Sequence, residues 1–333
     1  MTTSLPLTDA GLAGRLTDRL ALVEQRLLEA ASHADHLADA TSRHLVSAGG
    51  KRLRPLLTLL TAELGDGSDP RVLDAAVVVE LTHLATLYHD DVMDSAPVRR
   101  GAPAAQEVWG NQVAILTGDL LLAKASALTA RLGPDAVLIQ AETFERLCLG
   151  QLHETVGPTD GVDPVDHYLQ VLADKTGSLI ATSARYGALF AGCDPEAIAT
   201  VTTYGEKIGL AFQLADDVID LTDDGGLTGK RPGTDLREHV PTMPALLLRR
   251  LVASDAATDA DRRVLDLLDG DLSDDDDLAD AVRALREHPV TERTREASEA
   301  RANEAVEALA DLPAGPVRDS LALFARSLVE RSA

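Results

Sequence analysis

The sequence predicts an all-α fold, and three observations carry that expectation. Apolar residues recur at helical spacing nearly end to end, the composition is aliphatic, and prolines fall where helices would open. Hydrophobic residues make up 45% of the 333 but aromatics only 3%. The apolar set is mostly Ala, Leu and Val, which favours closely packed helices over a β-sandwich. No alternating strand pattern, and no hairpin turn flanked by one, is found.

Leu12, Leu16, Leu20, Val23, Leu27 and Leu28 recur at i, i+3 or i+4 and predict a first helix. Val72, Ala76, Val79, His83 and Leu87 predict another, opened by Pro70. Pro103, Pro134, Pro164, Pro195, Pro289 and Pro316 each precede or open a further helix-like run, where the missing N–H costs nothing. Roughly ten or more helices of ordinary length follow. The run Asp274 to Asp277 resembles a metal cluster but fits a helix start better. Ser273 would be the N-cap, and the aspartates would complement the helix dipole. From about Leu251 to Asp280 the chain is most polar, as suits a peripheral helical segment with loops. The length allows one large domain or two small ones.

Asp and Glu total 54 against 31 Lys and Arg, a net charge of -23. A surface this acidic excludes general nucleic-acid binding, which needs cations to neutralise phosphates. An acidic protein that binds a phosphate ester must concentrate its cations locally. The two cysteines, Cys148 and Cys193, form no CxxC and predict buried or semi-buried thiols in a reducing cytoplasm. Met1 to Leu20 lacks a basic segment followed by an apolar one, so no signal peptide is expected. No uninterrupted apolar stretch reaches the roughly 18–20 residues that span a bilayer. A soluble, cytoplasmic protein is expected.

Two aspartate clusters share one spacing: Asp90-Asp91-Val92-Met93-Asp94 and Asp216-Asp217-Val218-Ile219-Asp220. Each reads DDxxD at the end of an apolar helical run. Positions i and i+4 share a helix face, so Asp90 aligns with Asp94 and Asp216 with Asp220. Carboxylates grouped in this way repel unless a cation sits between them. Hard oxygen ligands suit Mg2+, which also takes phosphate oxygens from a substrate.

Lysine is scarce: Lys51, Lys124, Lys175, Lys207 and Lys230 are all there are. Three lie beside glycine, in Gly49-Gly50-Lys51-Arg52-Leu53-Arg54-Pro55, Lys175-Thr176-Gly177 and Gly229-Lys230-Arg231-Pro232-Gly233. Glycine allows close backbone approach and lysine supplies a point charge for phosphate. Any one could be a solvated helix-end cation; three of them beside two acidic clusters weaken that alternative. Arg99-Arg100-Gly101 follows the first cluster within one short loop, and the arginine fork suits phosphate oxygens. His83 lies two turns before Asp90 on the same face, as a core residue or a substrate contact. His89 points elsewhere and is taken as structural. Gln213 lies one turn before Asp216.

These segments resemble the trans-isoprenyl diphosphate synthases, the polyprenyl synthetase family. The matching stretches are Gly49–Pro55, Glu80–Asp94, Arg99–Gly101, Gly110–Ala125, Lys175–Leu179, Phe212–Asp220 and Gly229–Leu236, in order, across about Leu45 to Leu248. The resemblance implies the isoprenoid synthase fold: a single helical domain over 1–333 around a deep central cavity. The motif-bearing core would be about 45–248 and the C-terminal helical segment about 251–333. It implies Mg2+, as three ions once substrate is bound, with Asp90, Asp94 and Asp216 as main ligands and Asp91, Asp217 and Asp220 in support. Lys51, Arg54, His83 and Arg100 would hold isopentenyl diphosphate. Arg99, Lys175, Thr176, Gln213 and Lys230 would surround the allylic diphosphate. The catalytic set would be Asp90, Asp94, Asp216, Lys175, Lys230 and Arg99. One departure is His239-Val240, where many members carry Gly-Lys.

The implied reaction is ionisation of the allylic C–O bond, attack by the alkene of isopentenyl diphosphate, then proton loss. In this family an aromatic residue four or five positions before the first aspartate shortens the product. Here those positions are Thr86 and Ala85, both small, which predicts a long chain, hexaprenyl to decaprenyl. A homodimer, and transient membrane contact for product release without a transmembrane segment, are implied as well. The alternatives are a geranylgeranyl or farnesyl diphosphate synthase, a class I terpene cyclase, and a non-catalytic partner subunit. A cyclase needs neither Gly49–Pro55 nor a second DDxxD, and a partner subunit would be expected to lose aspartates. A histidine-aspartate phosphohydrolase, suggested by His89-Asp90, needs further ligands that cannot be placed.

Overall fold

A computed structural model describes residues 9–222, 232–238 and 240–330. In chain order the helices are α1 (Ala10–Ala31), α2 (His36–Ser47), α3 (Leu53–Ala62) and α4 (Pro70–Met93), followed by a ribbon of β1 (Val98–Arg99) and β2 (Ala102–Pro103). Then come α5 (Ala105–Trp109), α6 (Asn111–Leu132), α7 (Pro134–Val156), α8 (Pro164–Leu172), a π-helical turn at Ala173–Gly177, α9 (Ser178–Phe190) and α10 (Pro195–Thr222). The chain continues through α11 (Thr234–Arg237), α12 (Met243–Val252), α13 (Asp259–Leu268), α14 (Asp275–Arg286), α15 (Pro289–Ala308) and α16 (Pro316–Val329). The all-α expectation holds. Two units interleave in sequence: residues 1–145, 178–205 and 308–324 form the first, and 146–177, 206–307 and 325–333 the second.

Aspartates start many of these helices, which accounts for part of the acidic excess. Asp9 accepts from the Leu12 amide at 2.6 Å, Asp35 from Ala38 at 2.9 Å, and Asp163 from Val165 at 2.8 Å. Each satisfies an amide that a helix start leaves open. The run after Ser273 is a helix start as expected, but its cap is Asp274, which accepts from the Asp276 amide, and not Ser273. A carboxylate one residue later gives a charged acceptor at the dipole's positive end.

In the first unit α4 is the central helix. It is buried through most of its circumference, including Val77, Val78, Val79, Leu81, Leu84 and Ala85, as a helix apolar all round must be. It packs on α1, α3, α6 and α9. Helix α9 meets α3 at Gly187, where any Cβ would collide with the Thr58 carbonyl. In the second unit one core gathers Leu248, Ala281, Leu285 and Val290, and another gathers Tyr168, Leu214 and Met243.

The ribbon corrects the expectation of no hairpin. Val98 pairs with Pro103 and Arg99 with Ala102, and Arg100 and Gly101 turn the chain with φ of 55° and 77°. Positive φ at both central residues marks the turn that matches strand twist. Strands of two residues are too short to show alternation. Helix α6 likewise qualifies the absence of an apolar span, because by length and composition it could cross a membrane. Its Lys124 is engaged by protein instead, donating to the carbonyls of Ala30 at 2.7 Å and Ser32 at 2.8 Å.

Candidate active site

Helix geometry separates the residues of the first cluster. At about 100° per residue, His83, Thr86, Leu87, Asp90 and Asp94 fall within an arc of roughly 100°. The first four are half-buried and Asp94, the C-cap, is exposed. This is the open face of α4. Ala85 lies on the opposite, packed side with no exposure, so of the two product-length positions only Thr86 is open. Asp91 also turns inward. Its Oδ1 accepts from Arg99 Nε at 2.5 Å, and its backbone carbonyl accepts from Gln106 at 3.0 Å. Burial pushes the Asp91 carboxyl up, against the pull of Arg99. His89 faces α6, near the Ile115 carbonyl and Asp119, as a structural residue would.

Arginines gather beside the His83 end of this face. Arg52, at φ 49°, donates to Glu24 at 2.5 Å, to Glu80 at 2.7 Å and to the Val46 carbonyl at 3.0 Å. Burial pulls the Arg52 guanidinium down, but its bonds and charges with Glu24 and Glu80 more than offset that. Arg100 reaches Glu80 at 3.7 Å and donates to the Gly49 carbonyl. Gly50 is required there: its φ is +146°, and a Cβ would sit 2.9 Å from Arg100 Cζ. Burial, with Arg100 close by, lowers Arg54 to about 10 despite Glu80, and its buried Nε has no hydrogen-bond partner. His83 is held well below its usual range by burial, then by Arg54, Arg100 and Arg99, so it is neutral. Lys51 is exposed. Sequence reasoning named Lys51, Arg54, His83 and Arg100 but missed Arg52 and Glu80. The available signal was a lone glutamate between Val79 and Leu81 in an apolar run.

In the second unit, α10 carries Gln213, Asp216, Asp217 and Asp220. Asp216 and Asp220 are half-buried. Asp217 is buried; Tyr168 Oη lies 2.9 and 2.8 Å from its two carboxylate oxygens, and the Met243 amide donates to one at 2.9 Å. Burial pushes that carboxyl well above its usual range. Both oxygens of Asp217 are committed to protein donors, whereas Asp91 is held on Oδ1 alone and its buried Oδ2 has no hydrogen-bond partner. Asp220 accepts the Gly233 amide on its backbone carbonyl at 2.8 Å.

Lys175 and Thr176 lie in the π-helical turn, an irregularity that recurs at functional sites. Thr176 donates to Gln213 at 3.2 Å, joining two of the residues expected around the allylic diphosphate, and Lys175 donates to Glu154 at 2.5 Å. Arg146 braces the turn through Asp174 at 2.8 Å and Glu206 at 2.5 Å, a pair sequence reasoning did not name. Gly209 lets α10 pass the turn, since a Cβ there would lie 2.5 Å from Gly177 Cα. Lys230 and His239 lie outside the described residues. Among the described residues no three His, Cys, Asp or Glu side chains form a ready-made cage for an ion. Half-buried and exposed carboxylates still fit Mg2+, which takes one or two of them together with substrate phosphates.

The polyprenyl synthetase family model matches residues 35–285. A nonaprenyl diphosphate synthase from Mycobacterium tuberculosis is 44% identical over 326 residues, covering 98% of this chain and 96% of that protein. A geranylgeranyl pyrophosphate synthase from Corynebacterium glutamicum, solved with calcium and isoprenyl diphosphate, superposes with a TM-score of 0.85 at 41% identity over 98% of both chains. A decaprenyl diphosphate synthase from Rhodobacter capsulatus gives 0.84 at 33% identity, covering 97% of this chain and 98% of that one. The helices are those of the isoprenoid synthase fold, and the chain belongs to the polyprenyl synthetase family and is a prenyltransferase.

Proposed function

We propose that the protein is a Mg2+-dependent all-trans-polyprenyl diphosphate synthase that adds isopentenyl diphosphate successively to an allylic diphosphate, giving a long-chain product. The observation that carries this is the cluster of Arg52, Arg54, Arg99 and Arg100 around neutral His83 in a chain of net charge -23. Cations concentrated against that field suit a diphosphate. Arg54, Arg100, His83 and Lys51 hold isopentenyl diphosphate, while Lys175, Thr176, Gln213, Arg99 and Lys230 serve the allylic diphosphate. Asp90, Asp94 and Asp216 are the main Mg2+ ligands, with Asp220 in support.

Bound Mg2+ supplies charge neutralisation for the departing pyrophosphate. The arginines and lysines add donors fixed before charge develops on the leaving oxygens. Ionisation of the allylic C–O bond gives a carbocation, which the alkene of isopentenyl diphosphate attacks. One proton is then lost to the departing pyrophosphate. The carbocation must be shielded from water, which would quench it.

Thr86 lies on the open face of α4, so it is the position that limits chain length, while Ala85 is packed. Incubation with Mg2+, farnesyl diphosphate and labelled isopentenyl diphosphate tests the function. Products of hexaprenyl length or longer are expected, and Thr86→Phe shortens them. Geranylgeranyl product alone from the native protein refutes the long-chain reading. A homodimer is the expected assembly, supported by exposed Ile115 and Leu116 on α6 and exposed Val137 and Leu138 at the start of α7. Sedimentation should give twice the chain mass.

A further inference from the structure

The second aspartate cluster is held from beneath by a side chain outside all seven motifs. Tyr168, on α8, is 7% exposed and packs with Leu214, Met243 and Leu246. Its hydroxyl meets both carboxylate oxygens of Asp217, which is 2% exposed. Asp217 in turn accepts the amide of Met243, the first residue of α12. Thr242, the N-cap of α12, makes no side-chain capping bond, and Asp217 instead satisfies the first open amide of that helix. One carboxylate therefore joins α8, α10 and the start of α12.

We propose that Tyr168 is a positioning residue for allylic diphosphate binding, acting through Asp217 to set the rotation of α10 and with it the aim of Asp216 and Asp220. This rests on assigning Asp216 and Asp220 to the Mg2+–diphosphate site. At about 100° per residue Asp217 flanks the arc that holds Asp216, Asp220 and Gln213, so anchoring it fixes that arc. Helix α8 also runs directly into the π-helical turn with Lys175 and Thr176. The same hydroxyl thus ties the helix leading to the lysine to the helix bearing the aspartates. Reacting groups tolerate little error: a misplacement of about 1 Å can cost on the order of a hundredfold in rate.

Tyr168→Phe removes the bond and keeps the ring in its core. The expected result is a rise of roughly tenfold in the allylic KM and in the Mg2+ concentration for half-activity. The isopentenyl diphosphate KM should stay within about twofold, because its assigned residues all lie in the first unit. Asp217→Asn should act in the same direction, and the double variant should be little worse than the more impaired single, as for residues acting as one unit. A uniform fall in kcat with KM and Mg2+ dependence unchanged overturns the proposal. So does an Asp217→Asn loss that multiplies fully with that of Tyr168→Phe. Asp216→Asn, measured alongside, separates the two levels. If it leaves Mg2+ dependence unchanged, the site assignment fails and this proposal with it. If it weakens Mg2+ dependence while Tyr168→Phe does not, only the role of Tyr168 fails.

Discussion

Glu80→Gln tests the charge balance of the arginine cluster. The Glu80 and Arg52 side chains are 2% and 3% exposed and meet at 2.7 Å. Breaking a buried pair by removing one partner costs about 3–5 kcal/mol, chiefly because the other charge is stranded. Arg52 keeps Glu24, whose side chain is 39% exposed, so the lower end applies. Arg54 and Arg100 also lose a carboxylate that supports their charge. With an unfolding entropy of about 0.7 kcal/mol/K for a chain of 333 residues, about 3 kcal/mol lowers the thermal midpoint by about 4 °C. Scanning calorimetry of Glu80→Gln, Arg52→Met and the double variant measures it. The double should be less destabilised than the sum of the singles, because it leaves neither member of this pair facing the other's absence. Isopentenyl diphosphate should restore more of the lost midpoint in Glu80→Gln than it adds to the native protein, since its charge replaces the missing carboxylate. A fall of under about 2 °C, or strict additivity of the two singles, refutes the reasoning.

Gly50→Ala strains a backbone at φ +146° and pushes on the Arg100 guanidinium; the isopentenyl diphosphate KM should rise and the allylic KM should not. Gly209→Ala places a methyl against backbone at Gly177, where no side chain can swing away. It should cost about 1–3 kcal/mol in a denaturation experiment and raise the allylic KM through the Thr176–Gln213 contact. His83 should make stability fall with acidification. Its folded value is depressed, so as pH drops through 6.5 the unfolded chain takes up a proton that the native one refuses. The contribution is about 1.4 kcal/mol per pH unit below that point, until the depressed value is reached. His83→Gln should flatten the midpoint-against-pH curve below pH 6.5.

Helices, their proline starts and the faces of both clusters were legible because a 3.6-residue period and caps are local. Arg52 and Glu80 were not. Their pairing depends on a left-handed residue before α3 meeting a residue inside α4, 28 positions away. The ribbon around Arg100 and Gly101 was hidden because two-residue strands leave no pattern, although an Arg-Gly pair with positive φ is a turn. Tyr168 gave no signal either: an aromatic in a helical run is ordinarily core, and only the carboxylate above its hydroxyl distinguishes it.

The two DDxxD clusters repay a comparison at the level of single positions. Neighbours on a helix diverge by about 100°, whereas i and i+4 differ by only about 40°. A helix that shows its first and fifth aspartates to a ligand must therefore turn the second aside. In the first cluster the second aspartate meets Arg99, and in the other it meets Tyr168 and the Met243 amide. Each is buried, and each ties its helix to a segment from elsewhere in the chain. On the proposed Mg2+ assignment the spacing encodes two ligand positions and one anchor. On that argument Asp91→Asn and Asp217→Asn should impair substrate handling through geometry, whereas Asp90→Asn and Asp216→Asn should act directly on Mg2+ affinity. Titrating activity against Mg2+ separates the pairs by size: the anchor variants should shift the half-activity concentration by about tenfold, as for Tyr168→Phe, and the ligand variants by more. The anchor variants should recover part of their activity at saturating allylic diphosphate, and the ligand variants should recover it only with added metal. Equal Mg2+ shifts at all four positions would refute the division.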